Sequence, residues 1–167
     1  MRSRRCSFSV FLAFLSLLCA CGKPQQTVTI SPFTADLSFS FDNAAFEGIV
    51  TLKNSEDMQL MLRTPSELQG LRFDLSNDNA MIRFGDASVS LDDAEALGLP
   101  PAALHALFEA LSSLCNAPHT KSDNGTVEIS TSRGTASVAF LPDQPLPLRA
   151  EIGDLTFSFG NQKVLAS

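Results

Sequence analysis

Beyond its first 21 residues the chain has a single cysteine, Cys115, so the domain that follows has no internal disulfide and must be held together by packing. There is no CxxC pair to serve a metal or a redox couple. Histidine is scarce as well, with His105 and His119 the only two. Cys115 and His119 lie four apart, but Pro118 breaks any helix between them, and a zinc site needs three or four ligands. No metal is expected. A Gly-x-Ser-x-Gly elbow, a Ser-x-x-Lys pair, a Walker loop and an HExxH pair are all missing. No catalytic residue and no cofactor are therefore expected, and the chain reads as a non-enzyme. Basic side chains are few, 12 against 18 acids. Tryptophan and tyrosine are absent, which leaves 13 phenylalanines as the aromatic load.

What is present begins with a basic stretch, Met1 to Arg5, followed by an apolar run from Phe8 to Leu18. That run is shorter than the roughly 20 residues of a membrane-spanning helix and suits the core of a signal peptide. It ends in Leu18-Cys19-Ala20-Cys21-Gly22, which resembles the lipobox of bacterial lipoproteins. The resemblance implies cleavage between Ala20 and Cys21, so residues 1–20 are a signal peptide and Cys21 is the lipid attachment residue. Its thiol carries the diacylglycerol before the cut, and two acyl chains, at about 0.8 kcal/mol per buried CH₂, suffice for stable anchoring. Losing Arg2, Arg4 and Arg5 leaves nine of the 12 basic side chains against 18 acids, a formal −9 for the mature chain. Such a domain repels phosphate backbones, so no nucleic-acid partner is expected. The expected location is the extracytoplasmic face of a cell membrane, the outer membrane if the envelope is Gram-negative. Residues 21–32, polar with Pro24 and Pro32, read as the lipidated N-terminus and a tether.

From residue 33 to 162 the dominant signal is period-two alternation. Leu37, Phe39 and Phe41 share one face against Ser38, Ser40 and Asp42. Met58, Leu60 and Leu62 oppose Gln59, Met61 and Arg63, and Leu71, Phe73 and Leu75 oppose Arg72, Asp74 and Ser76. Turn signals at Asn43-Ala44, Asn54-Ser55-Glu56, Asn77-Asp78-Asn79, Gly85-Asp86, Asp123-Asn124-Gly125, Ser132-Arg133-Gly134 and Gly153-Asp154 separate the strands. Asp92 to Gly98 reads as one acid-capped helical turn, in which Asp92, Asp93 and Glu95 complement the helix dipole rather than do acid–base work. A longer helix from Ala102 to about Cys115 carries Leu104, Leu107, Phe108, Leu111 and Leu114 as one stripe.

These elements predict a mainly β (α+β) fold: a curved antiparallel sheet or half-barrel of about nine to eleven strands with one main helix on its concave face. Ten strands of about 18 Å at about 4.8 Å spacing present an apolar face near 860 Å². A helix of about 14 residues covers roughly 210 Å² of it. The sheet must curl strongly, or leave a groove for something else.

That architecture, with Phe46-Glu47-Gly48-Ile49-Val50, then Arg63-Thr64-Pro65, then the hairpin within Leu71–Phe84, resembles the LolA/LolB-like lipoprotein-carrier superfamily. The resemblance implies a half-barrel with a helical lid that holds acyl chains or other lipids. A protein fixed at Cys21 cannot shuttle, so the expectation is a membrane-anchored protein binding a lipid or other hydrophobic ligand in the concave face. The candidate cavity residues are Phe39, Phe41, Met58, Leu60, Leu62, Phe73, Phe84, Phe157 and Phe159, under a lid of Leu104, Phe108 and Leu111. The alternative is a structural or protein-interaction envelope lipoprotein with a filled core and no ligand.

Overall fold

The computed structural model describes residues 26–77, 80–90, 100–141 and 144–165. Ten strands form one open antiparallel sheet: β2 (Phe33–Phe41), β3 (Ala44–Leu52), β4 (Asp57–Thr64), β5 (Arg72–Ser76), β6 (Ala80–Phe84), β7 (Ala87–Ser90), β9 (Thr126–Thr131), β10 (Gly134–Phe140), β11 (Pro147–Ile152) and β12 (Leu155–Val164). Their order across the sheet is β7-β6-β5-β4-β3-β2-β12-β11-β10-β9. Every neighbour but one is a hairpin neighbour in sequence; the β2–β12 pair joins the first strand of the sheet to the last and so unites the two halves. Two short strands, β1 (Thr27–Val28) and β8 (His119–Thr120), pair separately. The helix α1 runs from Pro101 to Asn116, and a single 3₁₀ turn occupies Ser66–Leu68. The half-barrel with one main helix is thus as the alternation predicts. The turn expected at Asp92–Gly98 and part of the Asn77–Asn79 hairpin lie outside the described residues.

Alternation decides which side chains go inward. In β4 Met58, Leu60 and Leu62 are buried while Met61 and Arg63 are exposed, and in β5 Phe73 and Leu75 are buried beneath Arg72 and Asp74. The β2–β3 turn is one residue earlier than the sequence suggests. Asp42 and Asn43 both take positive φ, 50° and 65°, the geometry of a two-residue hairpin turn that matches strand twist. Gly48 has a different reason to be glycine. A β-bulge falls between Glu47 and Gly48, and a Cβ at position 48 would stand 2.5 Å from the Met61 carbonyl oxygen. The close approach of β3 to β4 leaves no room for a side chain.

Curvature resolves the area mismatch. The helix packs against β5 near one flank of the sheet and against β9, β10 and β11 at the other, so the sheet wraps round it. Its inward stripe, Leu104, Leu107, Phe108, Leu111 and Leu114, is fully buried, together with Ala106 and Ala110 on the adjoining positions. Glu109 ties the helix to the β9–β10 turn by accepting the Ser132 N–H at 2.7 Å, and the Ser112 hydroxyl donates to the Ser55 carbonyl in the β3–β4 turn.

One sequence expectation is corrected here. The stretch expected to be a tether, residues 21–32, contains β1, and Val28 and Ile30 are 5% and 2% exposed. The Lys121 N–H donates to the Gln26 carbonyl at 2.8 Å, and the Ile30 N–H donates to the Leu114 carbonyl at 3.1 Å. Residues 26–32 therefore belong to the domain, because two apolar side chains find a place under the helix C-terminus.

Candidate functional site

The twelve residues expected to line a cavity do not form one set. Phe39, Met58, Leu60, Leu62, Phe73, Phe157 and Phe159 from the sheet and Leu104, Phe108 and Leu111 from the helix are all buried, and Phe41 is partly buried against them. Phe39 stacks on Phe46 with centroids 4.9 Å apart and meets Phe157 at 5.2 Å. Leu60, Phe73, Leu104, Leu111 and Phe157 have no exposed surface at all, so no space as large as a water molecule touches them. Beneath the helix these side chains make a packed core.

Phe84 is the exception. It shares the inward side of β6 with Ile82, yet it is 54% exposed. The reason is its position beyond the reach of the helix. β6 and β7 form the last hairpin on their side of the sheet, and among the described residues the helix makes its principal strand contacts with β5, β9, β10 and β11. The inward face of the hairpin overhangs the helix-covered core. Phe84 and Val89, which is 43% exposed, stand opposite the 3₁₀ turn, with Leu68, Leu71, Ile82 and Ala87 between them. Together they enclose an open cleft of about 270 Å³, whose polar side chains among the described residues are Glu67 and Ser88.

The local sequence builds this cleft. Pro65 opens a turn that leads into Ser66–Leu68, and the Leu68 N–H donates to the Pro65 carbonyl at 3.0 Å. The Leu62 carbonyl then accepts the Gly70 N–H at 2.9 Å, and the Leu62 N–H donates to the Leu71 carbonyl at 2.9 Å. Gly70 holds φ at +86°, a value only glycine adopts freely. The turn thereby stands as a wall beside β5 and carries Leu68 toward the β6–β7 hairpin. Reading the sequence alone missed Leu68, Leu71, Ile82 and Val89 as cleft residues. The available signal was Leu68 itself, an apolar side chain inside an otherwise polar Ser-Glu-x-Gln-Gly turn.

The convex face is chemically different. A groove there is lined by Lys53, Asp57, Gln59, Arg72, Asp74 and Arg83. Asp74 is its centre, accepting from Gln59 Nε2 at 2.8 Å and meeting Arg83 Nε at 2.8 Å and Arg72 Nε at 3.2 Å. A second groove lies over Ser38, Gly48 and Gly160, with Asp36 and Arg63 paired at 3.2 Å on its rim. Both are charged and wet, so neither suits an apolar guest.

The remaining reactive side chains are scattered. His105 pairs with Glu109 at 3.4 Å one helical turn on. His119 Nε2 lies 3.1 Å from both the hydroxyl and the carbonyl oxygen of Ser113. Burial pushes the Cys115 thiol pKa up, the opposite of what a reactive thiolate needs. Among the described residues no three His, Cys, Asp or Glu side chains are grouped as a metal site would require. Asp92, Asp93 and Glu95, and Cys21 itself, lie outside the described residues. No described helix is long and apolar enough to cross a membrane.

No protein-family model and no curated protein match the chain. Among solved structures, the crystal structure of a LolA superfamily protein from Nitrosomonas europaea is similar over 86% of this chain and 88% of its own, with 9% sequence identity and a TM-score of 0.46.

Proposed function

We propose that the protein is a non-enzymatic lipoprotein, anchored through Cys21 on the extracytoplasmic face of a cell membrane, that binds part of a lipid or another hydrophobic molecule. The binding place is the cleft between the β6–β7 hairpin and the Ser66–Leu68 turn, not the space beneath the helix. The observation that carries this reading is Phe84, a large apolar side chain left more than half exposed on the inward side of a sheet whose other inward aromatics are buried or, in Phe41, partly buried. The volume of about 270 Å³ lies just below the ~300–1,000 Å³ of sites that enclose whole small molecules. The cleft is thus suited to a segment of an acyl chain or an apolar edge of a larger guest. Binding there is driven by apolar area leaving water, at about 25 cal/mol per Å².

A fluorescent fatty acid is the first probe. The protein is expected to bind it, and Phe84→Asp and Val89→Asp are expected to weaken binding at least tenfold while the far-UV circular dichroism and melting temperature stay near those of the parent. Both side chains are already in contact with water, so a carboxylate there costs the fold little. Mass spectrometry of protein extracted under native conditions supplies the second arm, with co-purifying lipid expected in the parent and lost in Phe84→Asp. A parent that neither binds the probe nor carries lipid would sink the hydrophobic-ligand reading. The filled core beneath the helix favours a second reading in that event: an anchored scaffold whose convex face or sheet edge meets another envelope protein.

A further inference from the structure

We infer that the protein stands on its membrane with one end down, so that the end of the sheet bearing β1 and β8 faces the lipid surface and the apolar cleft opens away from it. This rests on the Cys21 anchorage proposed above. The length of chain between the anchor and Gln26 carries it. Gln26 is held by the Lys121 N–H, and β1 follows at once. Five residue steps separate Cys21 from Gln26, a reach of at most about 18 Å. β2 alone runs nine residues from Phe33 to Phe41, about 30 Å from end to end. The tether is shorter than the sheet is long, so the opposite end cannot be turned squarely onto the bilayer.

The two ends are easily told apart. Residues at the starts of β2, β4 and β9 and at the ends of β3, β10 and β12 share the anchored end with β1, as the registers Phe33↔Leu52, Phe33↔Val164 and Leu52↔Met58 require. The far end carries the turns at Asp42-Asn43, Ser66–Leu68, Gly85-Asp86 and Gly153-Asp154, and the cleft belongs to it.

Charge has the same sense. The chain has four lysines. Lys53, Lys121 and Lys163 all fall at the anchored end, Lys23 is in the tether, and none is at the far end. Among the described residues, Glu56, Asp57 and Asp123 stand at the same end. Counted with its strand ends, the far end carries Asp42, Glu47, Glu67, Asp86 and Asp154 against Arg63, Arg72, Arg83 and Arg133, and no lysine. The lysines thus gather on the anchored side, where each one close to an anionic surface favours contact about fivefold. Val164, 57% exposed beside Lys163, adds an apolar contact on the same side.

The test uses the full-length, acylated protein in vesicles of phosphatidylglycerol and phosphatidylethanolamine containing a headgroup-spin-labelled lipid. In a Cys115→Ser background, a fluorophore is placed at Gln144→Cys, on the anchored end, or at Asp86→Cys, on the far end. The spin label is expected to quench position 144 several-fold more than position 86. Equal or reversed quenching overturns the orientation. The mass of the N-terminal peptide reports separately on acylation of Cys21; an unmodified peptide overturns the anchorage, and with it this inference. Inserting twenty Gly/Ser residues after Gly22 gives a tether with a root-mean-square span of about 25 Å and a far greater maximum reach. The quenching difference is then expected to shrink, and an undiminished difference would show that the tether's length does not set the pose.

Discussion

Two neighbouring strands, β5 and β6, present aromatic side chains to the same side of the sheet and treat them oppositely. Phe73 in β5 lies under the helix and has no exposed surface, whereas Phe84 in β6 is 54% exposed. Strand pairing places Phe73 directly opposite Ile82, two residues from Phe84. Chemistry and alternation are the same on both strands; what differs is cover. A sheet wrapped round one helix buries what the helix can reach, and the hairpin beyond that reach keeps its greasy face in water. The lesson is that in a half-barrel the free apolar surface collects at the overhang, not beneath the lid.

The comparison is broken most severely from the covered side. Phe73→Ala empties a site with no room to collapse and is expected to cost about 3–5 kcal/mol. For a domain of this size that lowers the melting temperature by about 10–20 °C, measurable by calorimetry. A loss below about 1 kcal/mol would mean that the core beneath the helix is looser than its burial implies. Gly48→Ala comes next. The new Cβ meets backbone, the Met61 carbonyl oxygen, and not a movable side-chain tip. About 1–3 kcal/mol of destabilisation is expected, with faster amide exchange concentrated in β3 and β4.

Smaller again is the convex face. Asp74→Ala removes the acceptor between Arg72 and Arg83, which lie opposite one another in the β5–β6 register. Two like charges then face each other across the strands, which is unfavourable. Both arginines are about half exposed, so solvent screens the effect and the loss should not exceed about 1 kcal/mol. Urea titrations with and without 1 M NaCl check it, because the gap between parent and variant should narrow in salt.

Much of this architecture was legible as alternation. Met58-x-Leu60-x-Leu62 and Leu71-x-Phe73-x-Leu75 name their buried face outright, and the Leu104–Leu114 stripe names the helix side that meets it. Three things were not legible. β1 is two residues long, too short to show a period, so nothing in the sequence marks Val28 and Ile30 as core. Leu68 is drawn into the structure by a turn whose wall-like position depends on the strands flanking it. The fate of Phe84 depends on where the helix ends its cover, a property of curvature that no local pattern encodes. Alternation assigns a residue to a face; it does not say whether anything lies on that face.

Phe84→Ala is the smallest expected effect and the sharpest comparison, since it repeats the Phe73 substitution one strand away. Much of the Phe84 ring is already hydrated, so little apolar area returns to water on unfolding, and truncation leaves no enclosed void to destabilise the native state. Stability should therefore change by no more than about 0.5 kcal/mol, within the range of ordinary surface substitutions. Urea unfolding of Phe73→Ala and Phe84→Ala side by side, with matched slopes, measures the difference directly. Were Phe84→Ala to cost as much as Phe73→Ala, the ring would be covered in solution by some other part of the chain. The overhang would then be core, and the cleft would have no vacancy for a hydrophobic guest.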